Sequence, residues 1–361
     1  MTDRQPRLGL VATLLVIVVA LGAALALPPA FEAGAATVFM VAMVPTQVVM
    51  SLHWRGEVPA AFGRLPQPAR GLAFAGLAPA VATVVALAAV LVFGGGRIEA
   101  TPFVIMPLVI TVPITLTQVI LFEGWPFSAL TGSRALQGIG ILVATYLITF
   151  AVDRIFFDFG FVAAAPFYRP ELDPHGLFVA WVPMTALVAA VYAMLILALF
   201  DFWPTAGLFA RLPALARQPW RGLVNAVVVV ALVAGPWLGF VTWGGMDLVD
   251  FLARVAVSLI FGVFILLVMM RGAPFVAFVQ PWRGLVLSAA AIVLAIVAFA
   301  LYRWAAVTVH GIAGGPPTYD LELWLASAML AFTFPAMVAF ADWFGFWPLV
   351  PAGRPSGADE G

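Results

Sequence analysis

The six residues Gln218-Pro219-Trp220-Arg221-Gly222-Leu223 return unchanged as Gln280-Pro281-Trp282-Arg283-Gly284-Leu285. A looser copy stands at Gln67-Pro68-Ala69-Arg70-Gly71-Leu72 and a degraded one at Gln5-Pro6-Arg7-Leu8-Gly9-Leu10. Ser133-Arg134-Ala135-Leu136-Gln137-Gly138 sits where another is due. Each copy directly precedes about 20 apolar residues, the length that crosses a bilayer as a helix. The phrase therefore marks the start of a repeating membrane unit.

Composition agrees. Of 361 residues, 64% are hydrophobic and 9% are charged, where about 25% charged is usual for a soluble domain. The chain has no Cys, which excludes disulfides, thiol nucleophiles and Cys-ligated metals or clusters. The formal net charge of +0 argues against nucleic acid as a partner.

Apolar runs fall at 8–27, 35–53, 71–93, 103–122, 135–157, 178–200, 222–242, 250–270, 284–305 and 323–344. The first follows Arg4 and Arg7 in the manner of a signal peptide. It also fills the first-helix slot of the first unit, so it is expected to be retained. The expected fold is all-α and polytopic: ten transmembrane helices in five tandem helical hairpins. The units lie at 5–66, 67–132, 133–217, 218–279 and 280–350, with a disordered cytoplasmic tail at 351–361 and one transmembrane domain throughout. Placing both termini in the cytoplasm puts every arginine inside except Arg97, Arg154, Arg169, Arg254 and Arg303, as the positive-inside rule requires. The expected location is the inner membrane of a bacterium.

The two helix types differ. Odd-numbered helices are mostly smooth runs of Val, Ala and Leu, as lipid-facing helices are. Even-numbered ones carry Pro45, Pro107, Pro113, Pro183 and Pro335, with Thr46, Gln47, Thr117 and Gln118. A Pro inside a spanning helix frees a carbonyl that needs a partner in protein or water. The even helices thus read as an inner layer, with those four side chains as polar interior candidates. They serve equally well as interhelical glue.

Glu123, Asp201 and Asp342 close even helices beside a Trp. At about 1.5 Å rise per residue this is an interfacial depth, where pairing with a loop Arg is the expected role. Arg70, Arg134, Arg221 and Arg283, with Trp220 and Trp282, form a repeated cytoplasmic motif. Indole and guanidinium both suit the headgroup layer; a ring of Arg gathering an anion is the sharper alternative. His53, His175 and His310 are dispersed. Glu171, Asp173 and His175 alternate in one outer loop, a weak ligand pattern without a second close His. Arg154 with Asp158, and Asp250 with Arg254, have helical ion-pair spacing.

No catalytic constellation, metal or cofactor is expected, so the chain reads as no enzyme. The expected function is a small-solute permease or channel-like transporter; the alternative is a non-transporting anchor or scaffold of a membrane complex. Membrane lipid is the expected partner, with a small solute or other membrane subunits. The Cys-free chain makes the topology testable. Cysteines near Ala69, Ala214 and Gly361 should be labelled only from the cytoplasmic side, and those near Gly95, Asp173 and Gly315 only from outside. Labelling of the Ala69 and Gly95 positions from one side would rule out the hairpin scheme.

Overall fold

A computed structural model describes residues 4–351. The expected tail beyond Pro351, including Arg354, lies outside the described residues. The protein is all-helical, with ten helices long and apolar enough to cross a membrane. They are α1 (Gln5–Ala26), α2 (Pro29–His53), α3 (Ala69–Val92), α4 (Pro102–Leu121) and α5 (Arg134–Phe156). Then follow α6 (Trp181–Leu199), α7 (Trp220–Trp243), α8 (Leu248–Met269), α9 (Trp282–His310) and α10 (Asp320–Trp343). Helix is the form such sequences take in lipid, because each backbone N–H and C=O is then satisfied within its own segment.

The apolar runs match these helices closely except at α2, which begins at Pro29 rather than 35. Pro28 is extended (φ −56°, ψ 134°) and Pro29 opens the first turn, the position where a missing N–H costs nothing. Glu32, in the gap between the first two apolar runs, thereby joins the second helix.

Packing separates the helices by parity. The even helices have 61–72% of their apolar window buried, the odd ones 11–39%. α2, α4, α6, α8 and α10 pack in that order, and α10 closes back onto α2. Each odd helix lies outside this ring, in the groove between two even ones: α3 between α10 and α2, α5 between α2 and α4, α7 between α4 and α6. α9 sits between α6 and α8, and α1 between α8 and α10. Smooth aliphatic faces such as Val227, Val230, Val293 and Ile296 are left exposed, as a lipid-facing surface can be.

The inner helices α2, α4, α8 and α10 and the outer α7 all widen locally into turns bonded across five residues. Three of these are bridged by a side chain, at Glu32–Ala36 in α2, Leu252–Val257 in α8 and Ser327–Thr333 in α10. A hydroxyl ties each one. Thr37 Oγ1 donates to Glu32 O at 2.7 Å, Ser258 Oγ to Ala253 O at 3.0 Å, and Thr333 Oγ1 to Ala328 O at 2.8 Å. Each bond spans five residues, so the side chain reaches the carbonyl across the widened turn. Such turns are rare and gather at functional sites.

On the side away from the repeated phrases, Phe157–Asp158 pairs with Phe178–Val179 in a short parallel bridge. This corrects one expected ion pair. α5 ends at Phe156, so Asp158 is no longer on the helix and Arg154 turns to Asp153 at 3.3 Å. Asp250 and Arg254 do pair, at 3.1 Å.

The tied turns give a prediction. Ser258→Ala should destabilise the protein by about 1 kcal/mol, the usual net worth of a hydrogen bond. Thr83→Ala removes a similar bond at an exposed site, to Pro79 O, and should cost less than about 0.5 kcal/mol. Thermal unfolding in one detergent compares the two; equal effects would deny the wide turn any special dependence on its hydroxyl.

Candidate functional site

Two features stand out: a lattice of clips at the phrase end of the bundle, and a chamber in the opposite half.

The clips explain the repeated phrase. The Gln218 side chain donates Nε2 to Leu121 O of α4 at 3.0 Å, while its Oε1 accepts from its own helix at Gly222 N, 3.2 Å. Gln280 repeats this with Leu199 O of α6 at 3.0 Å and Gly284 N at 3.0 Å. Gln67 does so with Trp343 O of α10 at 2.6 Å and Gly71 N at 3.3 Å. One amide thus satisfies an N–H that opens one helix and a C=O that closes another, both left orphaned by helix geometry. The glycine completes the joint. A Cβ at Gly71, Gly222 or Gly284 would fall inside the ring of Phe344, Phe122 or Phe200 respectively.

The first and third copies dock at corresponding places by other means. A Cβ at Gly9 would strike the backbone of Met269 at the end of α8. Gly138 packs on the Trp54 indole just past the end of α2, whose Nε1 donates to Arg134 O at 2.7 Å. His53 Nε2 meets Gln137 Oε1 at 3.1 Å. The start of each odd helix is therefore fixed to an even helix that is not its chain neighbour.

The motif arginines serve the same joints. Arg221 pairs with Glu123 at 2.8 Å, and Arg283 with Asp201 at 3.6 Å. Arg283 also donates to Gly272 O at 2.6 Å, and Arg70 to Gly56 O at 3.3 Å. Arg134 pairs with Glu57. Asp342 is exposed, with no ion-pair partner among the described residues. Trp220 and Trp282 are also exposed.

The chamber has a volume of about 180 Å³. All five even helices line it and no odd helix does. The wall is formed by Val41 and Val44 of α2, Ile105, Met106, Val109 and Val112 of α4, and Met184, Val188 and Val191 of α6. Leu252, Val257 and Ile260 of α8 and Leu323, Leu330 and Phe334 of α10 complete it. On every helix these are early residues, so the chamber occupies the half remote from the phrases. The half nearer the phrases is filled by Met50, Met194, Leu266 and Met337, all fully or nearly fully buried.

Thr46, Gln47, Thr117 and Gln118 do not line this space. Gln47 Nε2 donates to Pro335 O of α10 at 3.3 Å, and Gln118 Nε2 to Thr145 Oγ1 of α5 at 2.8 Å. Thr117 bonds Pro113 O at 2.8 Å and lies 3.6 Å from Met194 Sδ of α6. Thr46 is buried without a hydrogen-bond partner. The bonds of Gln47 and Gln118 join helices.

The polar residues at the chamber are others. Thr37 and Ser327 line it and share a hydrogen bond between α2 and α10. Glu32 lies beside them, fully buried, with both carboxyl oxygens lacking a partner. The signal for Glu32 was the Pro28-Pro29 helix start, which places it one turn inside α2.

In the loop between α5 and α6, Asp173 accepts from Phe159 N at 3.1 Å, His175 N at 3.0 Å and Tyr168 Oη at 2.9 Å. The bond to Asp173 raises the Tyr168 phenol above its ordinary range. Asp158, Asp173 and His175 lie together, without Glu171. Asp173 is committed to organising the loop.

No known family model, curated protein or solved structure matches this chain.

The clip predicts a contrast between glycines. Gly284→Ala must displace a rigid ring and should destabilise by about 1–3 kcal/mol, as overpacking does. Gly76→Ala has nothing within 4 Å of the added methyl and should be neutral or stabilising by up to about 1 kcal/mol. Unfolding midpoints of the two variants in nanodiscs provide the check; the reverse order would contradict the joint.

Proposed function

We propose that the chain is a multi-pass permease of a bacterial cytoplasmic membrane, carrying a small solute with an apolar body. In this reading it consists of five two-helix units with both termini cytoplasmic, and performs no covalent chemistry. The units are those begun by the phrases, at 5–66, 67–132, 133–217, 218–279 and 280–350. The clips support the division, because three of the five use the same Gln and Gly at the same helix position.

The observation that carries the transport reading is the chamber. The space of about 180 Å³ is partly open and lined almost wholly by apolar atoms, so its wall forgoes packing contacts that a filled interior has. A protein that only anchors others gains nothing from that defect, whereas a solute filling it recovers the lost contacts. The apolar wall also constrains the solute. A wholly apolar molecule dissolves in the bilayer and needs no carrier, so what needs carrying has an apolar body and a polar group that is costly to desolvate.

A non-transporting anchor or scaffold is the second reading. It is favoured by the packed half nearer the phrases and by the use of Gln47 and Gln118 as interhelical bonds.

Cysteine accessibility separates the two. In the permease, Val109→Cys and Met184→Cys should react with a small water-soluble thiol reagent added outside intact cells. Met50→Cys, fully buried and away from the chamber, is the inert control. Chamber cysteines as unreactive as the control would remove the permease reading.

A further inference from the structure

We propose that Glu32, with the hydroxyls of Thr37 and Ser327, receives the cationic amine of a small lipophilic amine whose apolar body occupies the chamber. The inference rests on the chamber being a solute site and names what that solute carries.

The chamber wall is apolar apart from one edge. Thr37 and Ser327 are its only hydroxyl side chains, and they face each other across the α2–α10 contact. Thr37 Oγ1 donates to Glu32 O at 2.7 Å, and Ser327 Oγ lies 3.5 Å from the same carbonyl. Both hydroxyls at this edge therefore meet the backbone carbonyl of Glu32. Ala33, the next residue, is itself in the lining.

Glu32 is fully buried and neither carboxyl oxygen has a hydrogen-bond partner. No arginine or histidine among the described residues pairs with it. The structural arginines of this protein, by contrast, find carboxylates or carbonyls. An isolated carboxylate in such surroundings is far costlier than a paired one, and ionisable groups inside membrane helices are functional by default. A cationic head removes the deficit, while the two hydroxyl oxygens are acceptors for its remaining N–H groups.

The backbone here is not a regular helix. Gly34 departs from helical geometry (φ −99°, ψ −107°) within the widened turn Glu32–Ala36. That break sits between Glu32 and Thr37.

Size sets the rest. An apolar cavity of about 150 Å³ holds one benzene, so about 180 Å³ suits a body of about six to eight heavy atoms. Hexylamine is a fitting probe, with hexanol and hexanoate as the neutral and anionic counterparts.

The test uses full-length protein in nanodiscs, with empty nanodiscs as the partition control, and reads affinity by titration calorimetry. Hexylamine should bind at least tenfold more tightly than hexanol, and hexanoate weakest of the three. Glu32→Gln keeps the shape and should abolish the tenfold preference while leaving hexanol binding intact. Thr37→Val should weaken hexylamine alone, giving a second reading if Glu32→Gln fails to fold. Val188→Phe, which fills the chamber, should remove both ligands with Glu32 in place. Equal binding of amine and alcohol, unchanged by Glu32→Gln but lost in Val188→Phe, would overturn the role of Glu32 and leave the chamber as a solute site. Absence of binding by any probe, or binding indifferent to Val188→Phe, would overturn both.

Discussion

The structure depends on a side-chain amide placed between two helix ends. A helix leaves about four N–H groups unmatched at its start and four C=O groups at its finish. Near a membrane surface these must be met by water, headgroups or protein. Gln67, Gln218 and Gln280 meet one of each and join two helices. Their glycines allow an aromatic ring from the second helix to lie directly on the first. Each such bond is worth only about 1 kcal/mol net. Their value is positional: with the helix starts fixed, five outer helices can fall into five grooves, and the inner ring is held at a circumference that leaves space at its centre.

That space in turn depends on the inner helices not being regular. A uniform ring of five apolar helices would close by interdigitating its side chains. Widened turns shift the register of the wall, and a hydroxyl bridges one in each of α2, α8 and α10. Polarity is thus distributed by purpose. Gln47, Thr117 and Gln118 bond helix to helix, and Thr37 and Ser327 serve both the contact and the chamber. Glu32 is fully buried with no partner for either carboxyl oxygen, and it precedes Ala33 of the chamber wall.

Much of the architecture was legible in the sequence because membrane helices are set by length and polarity. Ten apolar runs became ten helices, and the even helices, four of the five carrying Pro, became the buried ones. Glu32 was not legible by this route. A run begun at residue 35 leaves the carboxylate in a turn, and only the rigid Pro28-Pro29 pair moves the helix start back to include it. The purpose of the phrase was equally hidden. Trp and Arg there suggest headgroups, whereas the working residues of the joint are Gln and Gly. The partner of Gln67 lies 276 residues away at Trp343, a separation that local pattern does not reach. For Thr46, Gln47, Thr117 and Gln118 the sequence left an interior path and interhelical glue equally open, for a related reason. A polar residue beside a Pro looks the same whether it faces a cavity or a neighbouring helix.

The closure of the ring bears on how the protein is made. A ribosome delivers α1 and α3 early, yet the surfaces that receive their first turns belong to α8 and α10. Until the last helix enters the bilayer, the Gln67 amide has no Trp343 carbonyl to bond and Gly71 has no Phe344 ring to cover it. The middle joints, α5 to α2, α7 to α4 and α9 to α6, form in order as synthesis proceeds. The α1 joint waits for α8 and the α3 joint for α10. Nascent chains that end before α10 remain open on one side, with polar amides facing lipid, and are suited to recognition by the machinery that removes unfinished membrane proteins.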